Sequence, residues 1–194
     1  MVRRLDTGDN EMKKKVLKFS LWAVVVLVCG ILFVRHESLE SFESKVRVRN
    51  ANSAPLIGDF KSFQKPEEII ARLSAEHIIW EVTSDSKLVE KDPRPTFSDY
   101  SIKINDYVDL GNKGVLELSF INQRLYNAAF YPANYSDYLV KLSAKYRIDL
   151  ASRTSTKIGD TVLVEVGANS KGKYVKWIDE PLEREVSEWI KRFS

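Results

Sequence analysis

The longest apolar run in the chain lies close to its N-terminus. Residues 19–34 contain no charged side chain, and Val16 and Leu17 extend the run with only Lys18 between. A helix rises about 1.5 Å per residue, so this segment spans most of the ~30 Å hydrocarbon core of a bilayer. The pattern predicts a transmembrane helix over residues 19–34, in contact with membrane lipid.

The charges that flank this run predict its orientation. Four lysines stand before it, at positions 13, 14, 15 and 18, whereas Arg35 alone stands directly after it. Because positive charge is retained on the cytoplasmic side, we expect residues 1–18 to form a basic cytoplasmic tail and the C-terminal region to be exported. The single cysteine, Cys29, lies inside the apolar run. An exported region without cysteine is typical of bacterial periplasmic domains, so we expect a single-pass protein of a bacterial inner membrane.

Three other interpretations of the apolar run stay open. A cleaved signal peptide would need a small-x-small cleavage site, and the sequence VRHES follows the run instead. A lipoprotein signal would need a small residue before Cys29, where Val28 stands. A buried core helix is possible, but the run is apolar on every face and lysines stand just before it.

Residues 35–55 have the pattern of a juxtamembrane stalk and linker. Leu39, Phe42 and Val46 have helical spacing, and residues 50–55, with the sequence NANSAP, favour a linker. The folded region is therefore expected over residues 56–194.

The first half of this region predicts one helix and four strands. Pro66, followed by two glutamates, is typical of a helix start, and alternation at positions 78, 80 and 82 predicts a strand. After a predicted loop at 84–99, three strands are expected at 101–110, 115–120 and 125–131. Turns at 111–114 and 122–123 would join them as an antiparallel meander.

The second half predicts two more helices and two more strands. Tyr135, Tyr138, Leu139, Leu142 and Tyr146 form a helical stripe, which Asn134 could cap. Strands are expected at 161–166 and 173–178. A final helix after Pro181 carries an apolar stripe that we expect to dock near Trp177. The fold class is thus α+β, an antiparallel sheet with two or three helices packed on one face.

The net charge does not favour nucleic acid as a partner. Although the sequence pI is about 8.8, residues 1–18 carry the whole net charge of +3, and the remainder is neutral. A protein that binds phosphate backbones needs a clustered basic surface.

The residues offer little support for catalysis, for a metal or for another cofactor. The only histidines are His36 and His77, and the exported region has no cysteine. No phosphate-binding loop, serine elbow or calcium loop occurs. We therefore predict no catalytic, cofactor-binding or metal-binding residue and expect a protein that is not an enzyme. A hydrolase with a carboxylate pair is kept as an alternative.

A cluster of aromatic residues surrounds Pro132. Its tyrosines, which could form a ligand or partner surface, are Tyr126, Tyr131, Tyr135 and Tyr138. Stacked aromatic rings bind sugars and peptides, but the same residues could form the core between sheet and helix. The sequence leaves both possibilities open.

The pattern G-x-L-x-L-x-F, formed by Gly114, Leu116, Leu118 and Phe120, resembles small periplasmic envelope-assembly domains. The plan of a short tail, one span and one small domain is also similar to inner-membrane assembly subunits of secretion and pilus machines. The resemblance implies a domain that binds protein partners in an envelope complex. Binding of peptidoglycan or another glycan is the alternative, since fold alone does not determine function.

Overall fold

The computed structural model describes residues 53–88, 92–150 and 152–194. One compact unit spans Ala51–Ser194. The predicted tail, membrane span and most of the stalk lie outside the described residues. No helix within the described part of the chain is long and apolar enough to cross a membrane.

The described residues form one seven-stranded antiparallel sheet and three helices, which confirms the predicted α+β class. The sheet has the order β1-β2-β3-β4-β7-β6-β5. Its strands are β1 (Trp80–Lys87), β2 (Ser98–Asp109), β3 (Asn112–Ile121), β4 (Arg124–Pro132), β5 (Ser155–Ile158), β6 (Val162–Asn169) and β7 (Gly172–Asp179). The helices are α1 (Pro66–Ala75), α2 (Tyr135–Tyr146) and α3 (Glu180–Phe193).

The starts of the helices follow their capping residues. Pro66 begins α1, as predicted, with Glu67 and Glu68 in its first turn, near the positive end of the helix dipole. Asn134 caps α2 by accepting a 3.2 Å hydrogen bond from the backbone amide of Asp137. The side chain of Asp179 accepts a 3.0 Å bond from the amide of Leu182 and so caps α3.

The first turn of the meander is tighter than the sequence predicts. Asp109 pairs with Asn112, so the turn consists of Leu110 and Gly111, with φ of 49° and 71°. Two residues with positive φ match the twist of a hairpin. Gly114, predicted in the turn, lies in β3 instead. A Cβ there would stand 2.3 Å from the carbonyl oxygen of Tyr131, so only glycine allows this approach of β4.

The main core lies between one face of the sheet and the helices α1 and α2. Its largest fully buried side chains come from the sheet and α2: Trp177, Tyr138, Phe120 and Phe130. Leu56, Ile57 and Phe60, which precede α1, pack into the same core. Pro55, at the end of the predicted linker, pairs with Lys61 in an isolated antiparallel bridge.

The last helix packs on the opposite face, which corrects the expectation of one helical layer docked near Trp177. Trp177 belongs to the main core, with its ring 6.5 Å from that of Tyr138. The next residue, Ile178, points to the other face because side chains alternate along a strand. Four buried apolar residues belong to this second cluster rather than to the main core: Ile121, Ile178, Leu182 and Trp189.

Candidate functional site

Within the described part of the chain, helix α3 covers one end of the second face of the sheet and no other element covers the rest. We call the remaining part the open face; it is defined by one row of directly paired residues that crosses all seven strands. In strand order this row consists of Glu81, Lys103, Glu117, Ala129, Lys176, Glu165 and Ser155.

The row alternates in charge, and we call it the charge row. Five of its members are ionic, and opposite signs face each other at three of the six junctions. An opposite-charge pair across neighbouring strands contributes roughly 0.2–1 kcal/mol, so the row favours this register. With strands about 4.8 Å apart, it places charges of both signs along ~24 Å of the surface, from Glu81 to Glu165.

A cavity of about 490 Å³ opens at the β1 side of the charge row. Its volume falls in the range of roughly 300–1,000 Å³ that is usual for ligand pockets. Most ligand pockets are lined by apolar side chains, whereas this cavity has four ionic residues in its lining. The lining residues come from β1 to β4 and from the β6–β7 turn: Glu81, Thr83, Lys103, Val115, Glu117, Tyr131 and Lys171.

The tip of the β6–β7 hairpin forms one wall of this cavity. Lys171 Nζ donates a 2.6 Å hydrogen bond to Glu117 Oε1, and Asn169 Nδ2 donates a 3.1 Å bond to the hydroxyl of Tyr131. Asn169 also accepts a 2.9 Å bond from the amide of Lys171, which fixes the turn. Residues that are far apart in the chain therefore come together at this wall of the cavity.

Ion pairs determine the electrostatics of the cavity. Lys103 Nζ lies 2.6 Å from Glu81 Oε1, and this hydrogen bond lowers the pKa of Glu81. The hydrogen bond to Glu117 raises the pKa of Lys171. These shifts favour the charged forms of Glu81 and Lys171, and the lining of the cavity contains two lysines and two glutamates. Such a site can bind charged groups of either sign.

The four tyrosines singled out in the sequence do not form one surface. Tyr131 lines the cavity, whereas Tyr126 is half-buried near Glu183 of α3. Tyr135 and Tyr138 lie on the side of the sheet that α2 covers. Tyr138 is fully buried and donates a 2.6 Å hydrogen bond to Asp109 Oδ2.

Buried tyrosines make the unfolding free energy depend on pH. Burial raises the pKa of Tyr107 and of Tyr126 to about 12, and burial also raises the pKa of Tyr138. In the unfolded chain a phenol ionises near pH ~10, so this stabilisation is complete below that pH. It is lost as pH rises towards 12, by up to about 1.4 kcal/mol per pH unit for each tyrosine.

We therefore expect the urea midpoint to fall between pH 10 and pH 11 more steeply than between pH 8 and pH 9. Tyr126→Phe should reduce that slope. Equal slopes in the two intervals would show that these phenols titrate normally.

The sequence interpretation missed Lys103, Glu117 and Lys171. A local signal exists, because Lys103 and Glu117 occupy alternate polar positions between buried residues of β2 and β3. Their alignment depends on strand register, which the local pattern does not contain.

Neither a metal centre nor a relative defines this site further. In residues 53–88, 92–150 and 152–194, no three histidine, cysteine or acidic side chains are grouped so as to hold a metal ion. The chain matches no known protein-family model and no curated protein.

Proposed function

We propose that this protein is a non-enzymatic, membrane-anchored binding protein whose open face docks a protein partner in a bacterial envelope complex. The observation that carries this proposal is the cavity on the charge row, walled by the β6–β7 turn. An antiparallel sheet often has one solvated face, so exposure alone would carry no weight. A cavity lined by charges of both signs is a more specific feature.

The mixture of charges supports a protein as the partner. Complementary charges across an interface determine the partner and its orientation more than they raise affinity. Tyr131 adds an aromatic ring with a polar end, a residue type enriched at interfaces. Its ring lies 5.9 Å from that of Tyr174, so the aromatic surface continues beyond the cavity.

The same geometry argues against the two alternatives. A glycan site would be expected to gather aromatic rings, and the cavity contains only Tyr131. A hydrolase needs a carboxylic acid with a raised pKa, whereas Lys103 lowers the pKa of Glu81. The other carboxylate of the cavity, that of Glu117, accepts a hydrogen bond from Lys171.

The proposed location suits a surface of modest affinity. We place the binding domain in the periplasm, anchored by residues 19–34 with the N-terminus in the cytoplasm, on the basis of the lysines before that segment. Confinement to the membrane plane raises the effective concentration of partners in the same membrane. Individually weak ion pairs can then suffice for binding.

A site-specific photo-cross-linker tests this proposal in intact cells that produce the full chain. Placed at Thr83, which lines the cavity, it should yield a discrete cross-linked protein species. Placed at Val140, which is 70% exposed on α2, it should not yield that species. The same product from both positions, or none from Thr83, would contradict a partner-binding role for the open face.

A further inference from the structure

We infer that the cavity recognises a peptide segment of the partner protein that carries neighbouring acidic and basic side chains. This inference rests on the proposed function and specifies the chemistry of the partner. The observation behind it is the arrangement of the four ionic groups in the cavity.

These groups form a line of alternating sign. Lys103 stands beside Glu81 on one neighbouring strand and beside Glu117 on the other. Lys171 reaches Glu117 from the hairpin tip, with its ammonium 2.6 Å from the carboxylate. The order is therefore negative, positive, negative, positive, with strands about 4.8 Å apart. A ligand of a single sign would meet a like charge next to each attractive one.

The ion pairs within the cavity are able to exchange partners. The side chains of Glu81 and Lys171 are 53% and 59% exposed, whereas those of their partners Lys103 and Glu117 are 30% and 17% exposed. The solvated member of each pair can turn from its internal partner towards a ligand group, because ion pairs that water reaches are weak. The pair of Arg124 with Glu185 differs, because both side chains are buried between β4 and α3 and hold the helix in place.

The apolar part of the lining suits side chains that are charged only at their ends. Val115 and Tyr131 contribute apolar surface between the ionic groups. Lysine and glutamate place their aliphatic stems on such surface while their charged ends reach partners. A peptide segment with both residue types would therefore fill the cavity along its length.

The shape of the cavity argues against a second copy of this chain as the occupant. An alternating row is complementary to itself under a two-fold axis, so charge alone would permit a symmetric pair. Two identical concave surfaces placed face to face would, however, enclose a large void. Interfaces are packed about as densely as protein interiors, so a protruding peptide fits and a copy does not.

Saturation-transfer NMR with three short peptides tests the inference on the full chain in detergent micelles. The probes are N-acetylated and C-amidated Lys-Gly-Glu, Lys-Gly-Lys and Glu-Gly-Glu, so that no terminal charge contributes. The method detects weak binding, and empty micelles control for partition into detergent. We expect a signal from Lys-Gly-Glu at least about five-fold above the other two, corresponding to one charge pair of about 1 kcal/mol.

Matched variants locate the binding. Lys171→Met and Glu117→Gln should each reduce the Lys-Gly-Glu signal to the level of the like-charged peptides. Lys145→Met removes an exposed lysine of α2 and should leave the signal unchanged. Thermal melts of the two lysine variants should match the parent, because both lysines are exposed. Glu117→Gln keeps the size of a side chain that is 17% exposed and should lower the melting temperature by no more than about 2–4 °C.

The outcomes separate this inference from the proposed function. Equal signals from the three peptides, or an equal loss with Lys145→Met, would overturn the inference. If the Thr83 cross-link persists in that case, the open face still binds a partner of other chemistry. If the Thr83 cross-link is absent while Lys-Gly-Glu binds selectively, the proposed function fails and the peptide site stands.

Discussion

Replacing Trp189 with alanine should lower the free energy of unfolding by about 3–5 kcal/mol, the usual cost of truncating a buried tryptophan. Its ring stacks on Phe97, with centroids 4.1 Å apart, and its Nε1 donates a 3.1 Å hydrogen bond to the carbonyl of Pro95. Arg94 lies over the same ring and donates a 2.7 Å bond to the carbonyl of Phe193. Trp189 thus joins the end of α3 to the segment that precedes β2.

The melting temperature of the full chain in detergent, followed by near-ultraviolet circular dichroism, measures this effect. A domain of this size has only ~5–15 kcal/mol of net stability, so a fall of about 5 °C or more is expected. Ile190→Ala is the matched control. It truncates the neighbouring side chain, which is 47% exposed, and should change the melting temperature only slightly. A Trp189→Ala melt within a degree of the parent would mean that Trp189 is not part of the packing.

Replacing Glu185 with alanine should destabilise the protein by a similar amount, about 3–5 kcal/mol. The side chains of Arg124 and Glu185 are only 11% and 7% exposed. The two terminal guanidinium nitrogens of Arg124 both donate to the carboxylate, Nη1 at 3.2 Å. Without Glu185, the guanidinium would remain buried with its charge uncompensated, and this desolvation cost accounts for the large effect.

Two further variants identify the cause of that loss. Glu188→Ala removes an exposed glutamate from the same helix and should change stability by no more than about 0.5 kcal/mol. The double variant Arg124→Met, Glu185→Leu removes both charges and should recover most of the stability, because a buried pair is often replaceable by apolar residues. Urea unfolding measures all three. A double variant as unstable as Glu185→Ala would refute the explanation from an unpaired charge.

Local patterns in the sequence predicted most of the elements. The structure confirms the predicted helix starts at Pro66 and after Asn134 and the predicted turn at residues 122–123. These features depend on residues that are neighbours in the sequence. Strand β5 was missed, because its four residues, STKI, contain a single apolar side chain. Such a short strand is stabilised by its pairing with β6, which its own sequence does not reveal.

The position of α3 could not be derived from its own amphipathic stripe. That stripe shows which side of the helix is buried, but not which face of the sheet it covers. A usable signal was present in the strands, since Phe120 with Ile121 and Trp177 with Ile178 are adjacent buried pairs. Consecutive apolar residues at the end of a strand indicate that both faces are covered there.

The candidate site could not be predicted from local sequence patterns for a related reason. Glu117 and Lys171 are 54 positions apart, and only the sheet topology brings them together. In the sequence the acidic residues looked scattered, whereas strand register aligns them with lysines in one row. The selected tyrosines lie close in sequence but divide between two faces of the sheet.

The most direct measurement of the central claim is the Thr83 cross-link in a charge-swapped chain. Glu117→Lys combined with Lys171→Glu preserves an internal ion pair, and therefore the geometry of the hairpin tip, while it reverses the charges presented to a partner. Recognition by the charge row predicts that this variant loses the partner cross-link seen with the parent. Its melting temperature should fall by only about 2–4 °C, because Lys103 then faces a lysine across the strands. An undiminished cross-link in the swapped chain would show that the open face does not recognise its partner through these charges.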